Sequence, residues 1–285
     1  MTSKQMKDLL NNMAKKTGVN VQILQRNYMM ERLLERISLS KYMDNFILKG
    51  GILVAAMVGI DSRSTMDLDA SVKNIELNRD EIEKIFSDLA NMDIGDNVSL
   101  VIKSIDEIRE EFEYSCFRVS LQGTVDRTVI PMKVDISTGD IIAPREVKYS
   151  FKLILENRKI DIWAYNLETV LAEKMETTVS RNILNTRMRD FYDIRVLYTT
   201  RKQDIDIDLL KKALEHTAKK RNTENAVRDY EKILNDIMND PDLKTLWKNF
   251  QKKFIYASEL EWSDVMNTVM TLFEEVICEP VPIDA

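Results

Sequence analysis

The chain has few residues that break helices or reverse the backbone: 7 glycines and 5 prolines occur among 285 residues. Long loops and many tight turns are therefore not expected, and the composition favours helices. Cysteine and histidine are also scarce, with two cysteines and one histidine. Cys116 and Cys278 lack the spacing of metal ligands, and one histidine cannot build a histidine-based metal site. We expect both cysteines to be reduced thiols of a cytoplasmic protein.

An excess of positive charge and a long hydrophobic run are missing as well. The formal net charge of −6 excludes a uniformly basic nucleic-acid binder, although a local basic face remains compatible with it. The longest apolar run, residues 46–60, contains Lys49 and is too short to span a membrane. The first 16 residues carry charges throughout and do not form a signal peptide. The sequence therefore predicts a cytoplasmic globular protein.

Hydrophobic periodicity predicts an α+β fold in two parts, 1–165 and 166–285. The first part begins with two helices over 3–38, divided near Gly18, and a third over 40–59, interrupted by Gly50 and Gly51. A mixed sheet is then expected between about 67 and 164, with strands at 98–102, 117–121 and 129–136 and a helix near 79–91. The second part is expected to be helical, with helices over 166–180, 187–200, 206–219, 223–239, 241–256 and 262–278.

Two acids lie two residues apart in the segment Arg63-Ser64-Thr65-Met66-Asp67-Leu68-Asp69. On a strand, side chains two residues apart project to the same face, so Asp67 and Asp69 would converge while Leu68 faces the core. Two converging carboxylates repel each other unless a cation lies between them, and oxygen ligands suit Mg²⁺ holding a triphosphate. An isolated pair of this kind is also common on solvated edge strands.

A glycine pair and a third acid surround this segment. Gly50 and Gly51 give the backbone freedom for close approach to a phosphate, although they would also fit a simple helix break. Asp135 lies between apolar neighbours on a predicted strand, where an acid often marks only the strand end.

A lysine and an aspartate attract attention in the helical part. Lys174 falls on the apolar stripe of its predicted helix, so it either reaches out to water or points into a site. Asp190 is in the first turn of the next helix, where an acid also complements the helix dipole. For Asp193 an ion pair with Arg189, one turn earlier, is the expected role.

The glycine pair, the acid–apolar–acid strand and the later acid together resemble the polymerase-β nucleotidyltransferase superfamily. This resemblance implies two-metal nucleotidyl transfer with Asp67, Asp69 and Asp135 as metal ligands. Several blocks in order resemble, more specifically, the AbiEii/AbiGii toxin family. These blocks are 48–51, 63–69, 135–140, 172–174, 180–181 and 185–193.

Membership of that family would imply a polymerase-β-type mixed sheet with flanking helices, followed by a C-terminal helical bundle that completes the active-site cleft. It would also imply a Mg²⁺-dependent toxin of a type IV toxin–antitoxin or abortive phage infection system. The substrates would be a nucleoside triphosphate (GTP or CTP) and an RNA acceptor such as tRNA, with a protein acceptor as the alternative. A winged-helix antitoxin acting without a stable direct complex would be its partner. The implied catalytic residues are Asp67, Asp69, Lys174 and Asp190, and the implied nucleotide-binding residues are Gly50, Gly51, Arg63, Ser64, Thr65 and Arg187.

One position departs from the superfamily pattern. Many members have Ser or Thr directly after the glycines, whereas this chain has Ile52, so a hydroxyl contact to phosphate is lost. An RNA acceptor would need positive surface, which two lysine-rich helices could supply, although such runs are often simply solvated. Their basic residues are Lys211, Lys212, Lys219, Lys220 and Arg221, then Lys244, Lys248, Lys252 and Lys253. The alternatives are a protein that sequesters nucleotide or RNA without catalysis, and a helical interaction protein whose acids are surface residues.

Overall fold

The computed structural model describes residues 1–109 and 115–277, and Cys278 lies outside this part of the chain. The chain forms two compact units, of which the first comprises Met1–Asp140 and Glu146–Tyr165. The second comprises Ile141–Arg145 and the chain from Asn166 onward. The short segment belongs with the second unit because Asn166 Nδ2 donates to the Ala143 carbonyl at 2.6 Å and Ala143 N–H donates to Thr169 Oγ1.

A seven-stranded mixed sheet forms the centre of the first unit. Its strands are β1 (Phe46–Lys49), β2 (Asp67–Val72), β3 (Val98–Arg109), β4 (Ser115–Val125), β5 (Thr128–Thr138), β6 (Val147–Lys152) and β7 (Lys159–Ala164). Their order across the sheet is β3-β4-β5-β2-β1-β7-β6. The strand β2 runs parallel to β5 and antiparallel to β1. Strands containing the three predicted segments are present, and the α+β class is confirmed.

The helices of the first unit are α1 (Ser3–Thr17), α2 (Val21–Leu39), α3 (Gly50–Val58) and α4 (Arg79–Ala90). The predicted division of the first two helices at Gly18 is confirmed, since this glycine ends α1 in the left-handed conformation. Alternation along β5 gives the sheet one apolar face: Ile130, Met132, Val134 and Ile136 are all buried. The residues between them project to the opposite face.

The prediction of one interrupted helix over 40–59 was wrong in its first half. Residues Phe46–Lys49 form β1, and the helix α3 starts only at Gly50. The apolar run was ambiguous because a strand in the middle of a sheet is buried and shows no polar alternation. Its pairing with β2 on one side and β7 on the other decides the structure.

The second unit is helical in the part that the structure describes. Its helices are α5 (Leu167–Arg181), α6 (Met188–Arg201), α7 (Ile207–Arg221), α8 (Glu224–Arg228), α9 (Tyr230–Asn239), α10 (Pro241–Lys253) and α11 (Trp262–Ile277). The helix predicted over 223–239 is divided at Asp229. A fully buried core includes Phe191, Leu197, Val265 and Leu272. Within residues 1–109 and 115–277, no helix is long and apolar enough to cross a membrane.

Candidate active site

The acid pair lies on β2, in the middle of the sheet. Leu68 and Ala70 are buried on one face of this strand, and Asp67 and Asp69 alternate with them and project to the other face. The carboxylate of Asp67 is partly exposed, and it makes no hydrogen bond or ion pair with any residue that the structure describes. Its oxygens are therefore available to an external cation or donor.

Asp69 is more enclosed than Asp67. Its Oδ2 accepts a long hydrogen bond of 3.4 Å from the Gly51 N–H. Burial raises the pKa of Asp69 above its ordinary value, and the like charges of Asp135 and Asp67 raise it further. Lys49 and the Gly51 N–H act in the opposite direction but do not cancel this effect. The site therefore disfavours the ionised form of Asp69, and a cation bound beside the carboxylate would offset this cost.

The glycine pair packs directly against these acids. Gly50 has a positive φ of 67°, and a Cβ atom there would lie 2.1 Å from Asp69 Oδ2. A Cβ atom on Gly51 would lie 2.8 Å from Thr65 Oγ1 and 2.9 Å from an Arg63 guanidinium nitrogen. Only glycine fits at both positions, because any side chain would displace the acid or the residues behind it.

The segment before β2 supports this turn from behind. Arg63, Ser64 and Thr65 are each about 3% exposed, so the arginine is not a surface residue. The Arg63 guanidinium donates to the Ser64 carbonyl oxygen. From α2, Asn27 Nδ2 donates to the Thr65 carbonyl oxygen at 2.9 Å. These bonds fix the loop from which β2 begins.

Asp135 lies beside Asp69 in the register of the parallel strands β2 and β5. Both of its carboxylate oxygens accept hydrogen bonds from one guanidinium: Arg118 Nε donates to Oδ1 at 2.8 Å and Nη2 to Oδ2 at 2.7 Å. Within the described ranges, no group of three or more His, Cys, Asp or Glu side chains is arranged to hold a metal ion. The role of Asp135 as a third metal ligand therefore stays a prediction, and in this structure its partner is an arginine.

A lysine that was not predicted as a site residue lies beside the acids. Lys49, the last residue of β1, is paired in register with Asp69. Its Nζ donates to Ser137 Oγ at 2.7 Å and forms an ion pair with Asp140 at 2.8 Å. The residue could have been suspected only from its position before the glycines, since both contacts depend on how the strands pair.

A second polar cluster, called here the lysine cluster, consists of Lys174, Asp190 and Asp193 in the second unit. The Lys174 Nζ lies 3.1 Å from Asp190 Oδ1 and 2.7 Å from Asp193 Oδ2. The side chains are 13%, 7% and 0% exposed, respectively. Lys174 does not extend freely into water. Asp193 contacts this lysine from the next helix, a contact that its spacing from Arg189 did not predict.

Arg187 and the lysine-rich helices also belong to the second unit. Arg187 is 59% exposed, and its Nε lies 3.4 Å from Asp190 Oδ2. Among the basic residues of α7, Arg221 is not an exposed surface group, because it forms ion pairs with Glu173 and Glu176 on α5. Exposed lysines remain on both helices: Lys212, Lys219, Lys244, Lys248, Lys252 and Lys253.

Comparison with known folds defines the class of protein. A protein from Helicobacter pylori described as a candidate nucleotidyltransferase matches with a TM-score of 0.50 at 15% identity, over 90% of this chain and 97% of that one. JHP933 from the same organism gives 0.49 at 14% identity, over 90% of this chain and 94% of the other. An antigenic nucleotidyltransferase-like protein from Paracoccidioides brasiliensis gives 0.38 at 13% identity, over 71% of this chain and 92% of the other. The first of these likenesses shows that the fold is that of a nucleotidyltransferase.

The sequence profile of the nucleotidyl transferase AbiEii toxin of type IV toxin–antitoxin systems matches residues 32–271, which is most of the chain. The protein therefore belongs to the AbiEii family, as the resemblance of the sequence blocks had predicted. No curated protein matches the chain. Membership makes the chain a nucleotidyltransferase-family toxin, without defining its acceptor or its preferred nucleotide.

Proposed function

We propose that the protein transfers a nucleotide from a nucleoside triphosphate to an RNA acceptor, with tRNA as the preferred candidate, in a magnesium-dependent reaction. One observation supports this proposal most strongly: the carboxylate of Asp67 has no partner among the described residues and lies beside Asp69, which packs against the glycine pair. Family membership supports nucleotidyl transfer as the type of chemistry. GTP and CTP are the nucleotides to test first.

The residues of β2 fit a divalent cation. Asp67 offers free carboxylate oxygens, and the raised pKa of Asp69 reflects burial beside like charges with too little compensation. We propose that these two acids would hold Mg²⁺, which when bound would stabilise negative charge on the triphosphate. Asp135 does not fit as a third ligand in this arrangement, because Arg118 occupies both of its oxygens.

The turn at Gly50 and Gly51 would bind the phosphates. It begins α3, so its N–H groups have no partner within the helix, and the Gly51 N–H makes only a long hydrogen bond of 3.4 Å to Asp69 that an anion could share. Ile52 supplies no hydroxyl to this turn and packs in the core at 1% exposure, so the turn's contacts to phosphate would come from the backbone alone. Arg63, Ser64 and Thr65 would act mainly by holding this turn in position.

The lysine cluster would supply the second functional group of the reaction. Lys174, held by two acids, would neutralise charge on the phosphates while an acceptor hydroxyl attacks the α-phosphate and pyrophosphate leaves. Asp193 would keep the ammonium group in place, since it is fully buried against it. Asp190 would either share this role or accept the proton of the attacking hydroxyl, and Arg187 would offer a further contact to phosphate.

The biological role that follows is that of a toxin in a type IV toxin–antitoxin or abortive infection system. Modification of an acceptor such as tRNA would stop growth, and the antitoxin would be a winged-helix protein that acts without a stable direct complex. These assignments rest on the family alone.

Purified protein incubated with α-³²P-labelled nucleoside triphosphates, total tRNA and Mg²⁺ would test the chemistry. We expect label on the RNA with the wild type, and none with Asp67→Asn, Lys174→Ala or EDTA. Asp8→Asn, an exposed acid on α1, is the matched control and should label RNA normally. Nucleotide binding without labelling of either RNA or protein would instead favour a protein that acts by sequestration.

A further inference from the structure

Five charged residues form a row across five adjacent strands of the sheet. In register, Lys49 on β1 pairs with Asp69 on β2, Asp69 with Asp135 on β5, Asp135 with Arg118 on β4, and Arg118 with Asp106 on β3. Paired residues in a sheet project to the same face, so two acids lie between the cations Lys49 and Arg118, and Asp106 lies on the far side of Arg118, where its carboxylate accepts from Ser104 Oγ. The two inner acids are not equivalent, because their partners differ.

Asp135 is held by a two-pronged ion pair. Arg118 donates to both carboxylate oxygens at 2.8 and 2.7 Å, and the Asp135 side chain is 16% exposed. Such a planar fork is among the strongest hydrogen-bonded pairs in proteins. For Asp135 to bind a metal, this pair would have to break and leave a guanidinium beside the metal, which is electrostatically unfavourable.

Arg118 has binding capacity left over. Its hydrogen bonds to Asp135 use Nε and Nη2, while Nη1 makes no hydrogen bond within the described part of the chain. The side chain is 38% exposed, so this edge of the guanidinium can reach a ligand. The pair with Asp135 and the nearby charge of Asp67 raise the pKa of Arg118 well above its ordinary value. An arginine keeps its charge at every pH at which the protein is folded, and this one lies close to the acid strand.

We propose that Asp135 is not a metal ligand but a positioning residue for Arg118, whose Nη1 binds a phosphate of the nucleoside triphosphate beside Asp67 and Asp69. In this arrangement Asp67 and Asp69 hold one cation, and the guanidinium of Arg118 supplies a second positive charge. In a site with three free carboxylates, a second metal ion would supply that charge. The inference rests on the proposed function, because it requires a triphosphate at this site.

Binding of Mn²⁺ to the nucleotide-free protein, followed by electron paramagnetic resonance, separates the two roles of Asp135. We expect Asp69→Asn to weaken Mn²⁺ binding about tenfold or more because a ligand is lost. Asp135→Asn should weaken it by only about two- to threefold, because the unpaired Arg118 repels the cation but no ligand is lost. Arg118→Ala should tighten Mn²⁺ binding because it frees a third carboxylate, and the double variant Arg118→Ala/Asp135→Asn should return to the wild-type affinity.

Loss of Mn²⁺ affinity in Asp135→Asn as large as in Asp69→Asn would overturn the inference while leaving the proposed function intact. If Asp69→Asn also bound Mn²⁺ normally, the acid pair would hold no cation and the proposed function itself would fail. Lys103→Ala removes one positive charge from an exposed position of β3 and is the matched control for charge alone.

Binding of a nonhydrolysable GTP or CTP analogue at fixed Mn²⁺ concentration tests the role of Arg118. We expect Arg118→Ala to raise the Kd of the analogue about tenfold, as for the loss of a hydrogen bond to a charged group, and Lys103→Ala to leave it unchanged. Asp135→Asn should raise it as well, and the double variant should be no weaker than Arg118→Ala. An unchanged Kd in Arg118→Ala would exclude this residue from the phosphate site.

Discussion

Gly50 has a left-handed backbone conformation and also lies directly against the carboxylate of Asp69. Replacement by alanine would place a Cβ atom 2.1 Å from Asp69 Oδ2 at a φ of 67°. We expect Gly50→Ala to abolish nucleotidyl transfer and to lower the free energy of unfolding by roughly 2–4 kcal/mol, the sum of backbone strain and overpacking. Urea denaturation and the labelling assay would measure the two effects.

Gly95 provides the matched control for this substitution. It has a φ of 72°, and a Cβ atom there would meet nothing within 4 Å. Gly95→Ala should therefore show only the backbone strain of about 1 kcal/mol and normal transfer. Equal effects of the two substitutions on activity would show that the contact with Asp69 has no functional importance.

A buried acid elsewhere in the first unit should make stability depend on pH. Burial raises the pKa of Glu31 to about 8, and its carboxyl oxygens accept only from the Ile154 N–H among the described residues, at 3.0 and 3.1 Å. Its ordinary pKa is 4.5, so the folded state binds the proton more tightly than the unfolded state between pH 4.5 and about 8. The stability contributed by the neutral form is fully present below this window and is lost as the pH rises through it.

Glu31→Gln should remove most of this dependence, since the amide stays neutral at every pH. We expect the free energy of unfolding of the variant, relative to that of the wild type, to increase as the pH rises from 5 to 9, by a few kcal/mol at most. Urea denaturation at pH 5, 7 and 9 would measure the difference. Parallel pH profiles for the two proteins would show that Glu31 does not carry this titration.

Among the elements, β1 shows why part of the fold was not predictable from the sequence. Four residues are too few for a periodic pattern, and burial between β2 and β7 removes the polar alternation that marks a strand. By contrast, α1 and α2 were predicted because Gly18 separates two strongly patterned segments. The acid strand was predicted because alternation of Asp67, Leu68 and Asp69 is a local property.

The contacts that the sequence could not predict in the candidate site depend on strand register and helix packing. Arg118 meets Asp135 because β4 pairs with β5 at that position. Asp193 contacts Lys174 because α6 packs on α5, whereas the local spacing suggested a partner on its own helix. In both cases the residues are ordinary in sequence, and only the tertiary structure brings opposite charges together.

Packing of α7 on α5 gives a prediction about the basic surface. Arg221 lies 3.3 Å from Glu173 and also pairs with Glu176, which is 0% exposed. Arg221→Ala would leave Glu176 as a buried, uncompensated charge and should lower the free energy of unfolding by roughly 3 kcal/mol. Lys212→Ala, at an exposed position of the same helix, should change it by less than about 0.5 kcal/mol.

Urea denaturation of both variants and their tRNA affinity at several salt concentrations would together decide between a structural and an RNA-binding role of Arg221. If Arg221→Ala were as stable as the wild type but bound tRNA with a weaker salt dependence, the arginine would belong to the RNA-binding surface. The opposite pattern is expected, with Lys212→Ala affecting only the salt dependence.

For the molecule as a whole, a net charge of −6 does not prevent RNA binding, because the charge is distributed unevenly over the surface. Four exposed lysines lie on α10, two on α7 and four on α1, whereas the acids of the candidate site lie on the sheet. The family, the fold class and the acid–glycine and lysine–aspartate blocks were all evident in the sequence. The acceptor was not, because recognition of an RNA depends on surface shape and charge rather than on a short motif.

The most direct test of nucleotidyl transfer is mass spectrometry of cellular RNA 3′ ends after induced expression, comparing the wild type with Asp67→Asn and Asp8→Asn. We expect the wild type and Asp8→Asn to stop growth and to add the mass of one or more nucleotides to the 3′ ends of tRNA. Asp67→Asn, expressed at the same level, should do neither. Growth arrest by Asp67→Asn with unmodified RNA would contradict the proposal and show that toxicity does not depend on the acid pair.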